Sequence, residues 1–179
     1  MHAAIPESEP DNDAGDMLSY HHERVAHLVR LGARGFNRSL ARRLAEHEIT
    51  FGQWVYLRIL WKREGLSQSQ LSDAANLTAP TTHTALGKLE RLGIVERRTL
   101  GENRRRQHVF LTQKGRDLQK VLEPLAVEAN EVALAGIPES EREKLRAHLV
   151  TILDNLARDE LEAEARGLRV PATRASFPE

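Results

Sequence analysis

The chain has 179 residues, with 26 lysines and arginines balanced by 26 aspartates and glutamates, and no cysteine. That length suits one domain or one two-part subunit. The missing cysteines exclude disulfide scaffolds, thiolate metal sites and thiol-based redox sensing, and no apolar run approaches the ~20 residues of a membrane span.

Residues 1–17 carry Glu7, Glu9, Asp11, Asp13 and Asp16 with no lysine or arginine. This polar, proline-bearing start predicts disorder. Residues 18–47 predict a long helix, with Val25, Leu28, Val29, Gly32, Phe36, Leu40 and Leu44 recurring at helical spacing. A second helix is expected over residues 51–63. In Leu66–Leu77, Ser67 is a candidate N-cap, and Leu71 with Ala74 or Ala75 gives a short helix its apolar face. The next helix starts at the candidate cap Thr78, tolerates Pro80 in its first turn and stops at Gly93. Ala85, Leu86, Leu89 and Leu92 form its buried stripe, leaving Thr81, Thr82, His83, Thr84 and Lys88 as the polar face. Short hydrogen-bonding side chains with one cation suit base edges and phosphates in a major groove.

Ile94 to Gly115 then reads as strand, tight basic turn, strand and helix start. Gly101 supplies the turn, and Arg97, Arg98, Arg104, Arg105 and Arg106 lie on or beside it. On the second strand Val109 and Leu111 share one face, and His108 and Phe110 the other. Arginines projected by a hairpin suit phosphates and the electronegative minor groove. From Thr78 to Arg116 nine lysines and arginines face three glutamates, so the basic charge is concentrated on this stretch although the whole chain is neutral. Two short helices followed by a basic hairpin make a winged helix-turn-helix. Long helices are expected again over Gln113–Ala135 and Glu139–Ala165, the latter opened by Pro138, and residues 166–179 read as a flexible tail.

These segments resemble the multiple antibiotic resistance regulator (MarR) family. Leu71-Ser72-Asp73-Ala74-Ala75-Asn76-Leu77 is similar to the first helix of its motif. Leu86 through Arg97 is similar to the end of the recognition helix and the entry to the wing. Asn103-Arg104-Arg105 followed by Leu111-Thr112-Gln113-Lys114-Gly115 is similar to the family's wing signature, Asp-x-Arg and then Leu-Thr-x-x-Gly. The resemblance runs from about residue 20 to about residue 160. It implies that Arg105 enters a minor groove. Asn103 stands where the family has an aspartate, so any brace it makes is a neutral hydrogen bond. Pro80, Thr82 and His83 depart from the family pattern, so the operator of a relative does not transfer.

The expected fold is therefore mainly α with a small β-wing. A dimerisation helix over 18–47, a DNA-binding lobe over 48–116 and C-terminal dimerisation helices over 117–165 make up its body. Ser67 and Gln68, at the start of the motif's first helix, complete the expected DNA contacts. A small winged helix leaves too many apolar stripes uncovered, and the family's answer is a homodimer whose paired reading heads match a palindromic operator with half-sites about 10 base pairs apart. The alternative is a monomer that buries its own helices.

The resemblance also implies a small aromatic acid or phenol as effector. Trp54, Arg58 and Trp61 share one helical face, on which two indoles flanking a guanidinium suit an aromatic carboxylate, with His21 and His22 as further candidates. The competing reading puts both tryptophans in the core and pairs Arg58 with a carboxylate. The eight histidines show no metal-binding spacing, so neither a metal nor another cofactor is expected. No nucleophile-base pair or phosphate-cradling glycine loop is present, which argues against an enzyme. With no signal peptide apparent, a cytoplasmic transcriptional regulator is expected, most simply a repressor released by its effector. The alternative is an architectural DNA-binding or protein-interaction module without an effector.

Overall fold

A computed structural model describes residues 20–99 and 107–168. The expectations for residues 1–17, for the turn at Gly101, for Asn103, Arg104, Arg105 and Arg106, and for the tail beyond Leu168 lie outside the described residues. The chain divides into an N-terminal unit ending at Gly35 and a larger unit from Phe36 onward. The elements in order are α1 (Val25–Ala45), α2 (Phe51–Lys62), β1 (Leu66–Ser67), α3 (Gln68–Ala75), α4 (Ala79–Arg91), β2 (Val95–Thr99), β3 (Gln107–Leu111), α5 (Gln113–Ala133) and α6 (Glu139–Ala165).

Four of the helices begin at a Ser or Thr whose hydroxyl accepts a hydrogen bond from a first-turn amide, a cap that contributes about 1 kcal/mol each. Thr50 accepts from Gln53 and Ser67 from Gln70, and in both cases the glutamine side chain returns the bond to complete a capping box. Thr78 accepts from Thr81, and Thr112 from Gly115. Gly93, at φ 68°, ends α4 in the left-handed conformation. Its amide donates to the Glu90 carbonyl at 2.9 Å and that of Ile94 to Leu89 at 3.0 Å, a Schellman closure.

The sheet is antiparallel in the order β1-β3-β2. Val95 pairs with Leu111 and Arg97 with Val109, and Leu66 pairs with Val109 from the other side. Strand alternation sends Val109 and Leu111 inward. They join Leu44, Ile49, Tyr56, Leu57, Leu60, Leu71, Leu77, Leu86, Leu89, Val95 and Leu122 in one core. Arg43 ties α1 to α5 by donating to Glu128 at 2.9 Å. Arg142 fixes the α5–α6 corner by donating to the Leu134 and Ile137 carbonyls and pairing with Glu131.

Two expectations are corrected. The wing sheet has a third strand: Leu66-Ser67, read as the approach to a helix, pairs with β3. The first helix begins at Val25 rather than near 18. The last helix spans Glu139–Ala165 as expected, with Pro138 as its N-cap and no side chain capping that end.

Candidate nucleic-acid interface

Helix α4 lies on its neighbours through Leu86 and Leu89, both fully buried, and through the equally buried Thr82. Thr82 was expected among the base-reading residues. Instead its hydroxyl donates to the Thr78 carbonyl at 3.0 Å and lies 2.9 Å from both the Tyr56 hydroxyl and Ser72 Oγ. With the Thr82 proton committed to Thr78, Tyr56 is the donor to Thr82. Burial pushes the Tyr56 phenol above its usual pKa, against a smaller lowering by the Thr82 bond. This hydroxyl cluster joins α2, α3 and α4 at the first turn of α4. It satisfies polar groups that would otherwise be costly to bury. Ser67 is likewise corrected: it is buried, and its hydroxyl accepts from Gln70 as the α3 cap. Periodicity marks which helical face a residue occupies, but Thr82 falls on the border of the apolar stripe, where a hydroxyl fits either side.

The other α4 candidates, Thr81, His83, Thr84 and Lys88, are exposed. Thr81 Oγ1 lies 2.8 Å from the cap hydroxyl of Thr78. Thr84 and Lys88 hydrogen-bond no other described side chain. His83 Nδ1 lies 3.3 Å from Oε1 of Gln68 on α3. Among the exposed residues of α4 the acid is Glu90, at its far end, 3.7 Å from Arg97. Arg97 is largely covered and held by that pair, so its guanidinium braces β2 against α4. Arg98 is exposed, pairs with Glu96 and lies 5.1 Å above the Phe110 ring.

The far end of α4 is gripped by the start of α5. The Thr112 hydroxyl donates to the Gly93 carbonyl at 2.7 Å, its amide to Ile94 at 3.0 Å, and Lys114 Nζ to Leu92 at 2.9 Å. The Leu92 carbonyl is one that a helix end leaves without a partner, and those of Gly93 and Ile94 lie just beyond it. Gly115 makes the approach possible, because a Cβ there would stand 2.2 Å from the Ile94 oxygen. The roles of Thr112 and Lys114 were not read from the sequence, although the Leu-Thr-x-x-Gly signature marked the place. Glu64 completes this corner by accepting from the Leu111 amide at 3.0 Å and from Arg116 at 2.6 Å.

The expected effector face is corrected in its geometry. Trp54 is buried and meets Trp61 edge to face, ring centroids 5.4 Å apart. Trp61 Nε1 donates to the Gly115 carbonyl at 2.9 Å. The indoles therefore pack on each other and do not flank a guanidinium between them. Arg58 is exposed, as are His21 and His22 in the turn before α1. Among the described residues no group of three or more His, Asp or Glu is placed to hold a metal, and no helix is long and apolar enough to cross a membrane.

A short helix, a tight connection, a second helix with a polar outer face and an antiparallel sheet define a winged helix-turn-helix protein. Comparisons agree. The MarR family model matches residues 49–106. Over 155 residues the chain is 35% identical to the HTH-type transcriptional regulator TtmR of Methylorubrum extorquens, covering 86% of this chain and 75% of that one. Among solved structures, the transcriptional regulator PA3341 is 30% identical with a TM-score of 0.66, covering 75% of this chain and 99% of that one. The S. aureus MepR–DNA complex is 25% identical with a TM-score of 0.66, covering 74% of this chain and 98% of that one. The chain belongs to the MarR family of transcriptional regulators, and as such it is a non-enzymatic DNA-binding protein.

Proposed function

We propose that the protein is a homodimeric repressor that grips a palindromic operator and is released by a small aromatic acid or phenol. The observation that carries the DNA-binding part is the outer face of α4. There the hydroxyls of Thr81 and Thr84, the His83 imidazole and the Lys88 ammonium are exposed with no carboxylate among them. Such a face suits base edges and phosphates in a major groove. Arg98 and the sequence-adjacent Arg104, Arg105 and Arg106 suit phosphates and the minor groove. The MepR neighbour, solved as a complex with DNA, supports DNA as the partner of this chain.

The homodimer rests on apolar side chains left uncovered. Val121, Val127 and Val132 on α5, and Leu145, Leu149, Val150, Leu153, Leu156 and Leu161 on α6, are exposed, and α6 buries no residue in its 27. A helix this long with so apolar a face calls for a partner, and a second copy would place two reading helices on half-sites about 10 base pairs apart. For the effector, Arg58 supplies an exposed guanidinium on α2 that a carboxylate can pair with. The ligand would then act by binding one arrangement of the dimer better than another. A cytoplasmic location, with access to the chromosome, belongs to the same proposal.

The test is a salt-dependent titration of the full chain against DNA upstream of its own gene and against scrambled DNA, with and without a panel of aromatic carboxylates. Specific binding lost on adding one acid is the expected result. Equal, weak binding to both DNAs would overturn the regulator in favour of an architectural module. Specific binding indifferent to every acid would remove the aromatic effector. A promoter fusion that rises when the gene is deleted fixes the sign as repression.

A further inference from the structure

Gln68, the first residue of α3, spans two partners on α4. Its Nε2 lies 3.5 Å from the Ala79 carbonyl, and its Oε1 lies 3.3 Å from His83 Nδ1. A backbone carbonyl only accepts, so the amide nitrogen faces Ala79 and the amide oxygen faces the imidazole. An amide oxygen also only accepts. The hydrogen of the neutral His83 ring therefore sits on Nδ1, and Nε2 carries the free lone pair. A histidine left alone on a helix has no such fixed polarity, because its two tautomers interconvert. Here the hydrogen-bond relay from the α4 backbone through α3 chooses one of them.

We propose that His83 is a specificity-determining acceptor that reads the exocyclic amino group of adenine or cytosine, and that Gln68 is the positioning residue that makes it an acceptor. In the major groove adenine N6 and cytosine N4 are hydrogen donors, whereas guanine N7 and O6 and thymine O4 are acceptors. A lone pair on Nε2 therefore favours the first two and repels the others. Position supports the assignment. His83 is exposed beside Thr84, on the first half of a helix whose other side is held by Thr82, Leu86 and Leu89. The inference rests on the reading of α4 as the operator-reading helix.

The experiment selects duplexes from a randomised library with the full-length protein and its His83→Ala, Gln68→Ala and Gln68→Glu variants, and then titrates single-base variants of the selected site. Both residues are surface-exposed or half-exposed, and a thermal melt of each variant checks folding. The wild type is expected to require adenine or cytosine at one position of each half-site by about tenfold or more. His83→Ala and Gln68→Ala should both flatten that position. Gln68→Glu should flatten it as well, since a carboxylate has no hydrogen to give the Ala79 carbonyl and favours a ring with hydrogens on both nitrogens, whose Nε2 then donates. Replacing adenine by purine, or removing the cytosine amino group, at that position should cost as much as the wrong base.

Several results overturn the inference. A wild type that selects a clear site in which no position depends on His83 leaves the DNA-reading helix standing and removes this residue. A position that depends on His83 but prefers guanine or thymine reverses the tautomer. Loss with His83→Ala but not with Gln68→Ala removes the positioning role. A wild type that selects no site at all defeats the proposed function and the inference together.

Discussion

Gly115→Ala sets two physical effects against each other. Intrinsic propensity favours alanine over glycine in a helix by up to about 1 kcal/mol, so a helix-only argument predicts stabilisation. The packing at Gly115 predicts the reverse. Its new methyl would stand 2.2 Å from the Ile94 oxygen and 3.0 Å from Leu111 Cδ2. Since C···O contacts sit near ~3.3–3.6 Å, α5 would have to retreat by about 1 Å. That retreat would break or stretch the bonds from Thr112 to Gly93 and Ile94 and from Trp61 to the Gly115 carbonyl. Three bonds at a net ~0.5–1.5 kcal/mol each amount to about 2–4 kcal/mol.

Gly52→Ala is the matched control. It too lies in the first turn after a threonine cap, and a Cβ there meets nothing within 4 Å. Equilibrium urea unfolding at one fixed protein concentration measures both. With a slope of ~1–3 kcal/mol per molar, Gly115→Ala should lower the midpoint by about 1–2 M, and Gly52→Ala should leave it equal or raise it. A Gly115→Ala midpoint at or above wild type would refute the argument that close approach of α5 to the end of α4 requires glycine.

Thr82→Val keeps the shape but leaves the Tyr56 proton buried without its acceptor, at a cost of about 1–3 kcal/mol. The thermal midpoint should fall by about 3–8 °C, Thr82→Ser should recover most of the loss, and an unchanged melt would show the hydroxyl cluster to be dispensable. Because burial raises the Tyr56 pKa, its neutral form is the one the fold favours. The corresponding stability is whole below the unfolded value of about 10 and is lost as pH rises through the higher folded value. Tyr56→Phe should flatten the stability profile above about pH 10 relative to wild type, and parallel profiles would contradict the direction of the shift. Leu149→Glu with Leu153→Glu should convert a dimer to a monomer in sedimentation, and an unaltered sedimentation coefficient would place the partner elsewhere. Arg58→Ala should abolish response to an aromatic acid while leaving operator affinity intact; a variant that still responds would remove Arg58 from effector binding.

Where local chemistry alone decides, the sequence was readable. Ser67, Thr78 and Gly93 announced helix ends because caps and left-handed stops depend on one or two residues. The apolar stripe of α4 and the alternation of β3 fixed which faces turn inward. Long-range pairings were less visible. The two-residue strand Leu66-Ser67 is too short to show a period, and it exists only because β3 offers an open edge. The Thr82 hydroxyl looked like a groove contact because nothing local says that Tyr56, 26 positions earlier, needs an acceptor. Trp54 and Trp61 shared a face as expected, but spacing along one helix does not fix ring planes, and the two indoles packed edge to face while Trp61 gave its N–H to Gly115.

Helix α4 is secured by its inner face and by both of its ends, through the Thr78 cap and Thr82 at one and the donors from α5 at the other. Thr84 and Lys88 contribute nothing to that attachment. On the proposed reading of α4, substitutions at those sites would alter what is recognised without disturbing what is folded, so mutational drift in the recognised sequence would be free to outpace change in the scaffold. On the same proposal a lineage built this way would acquire new targets through exchanges at a few outward positions, and Gln68 with His83 would be the place where such an exchange has to occur in pairs.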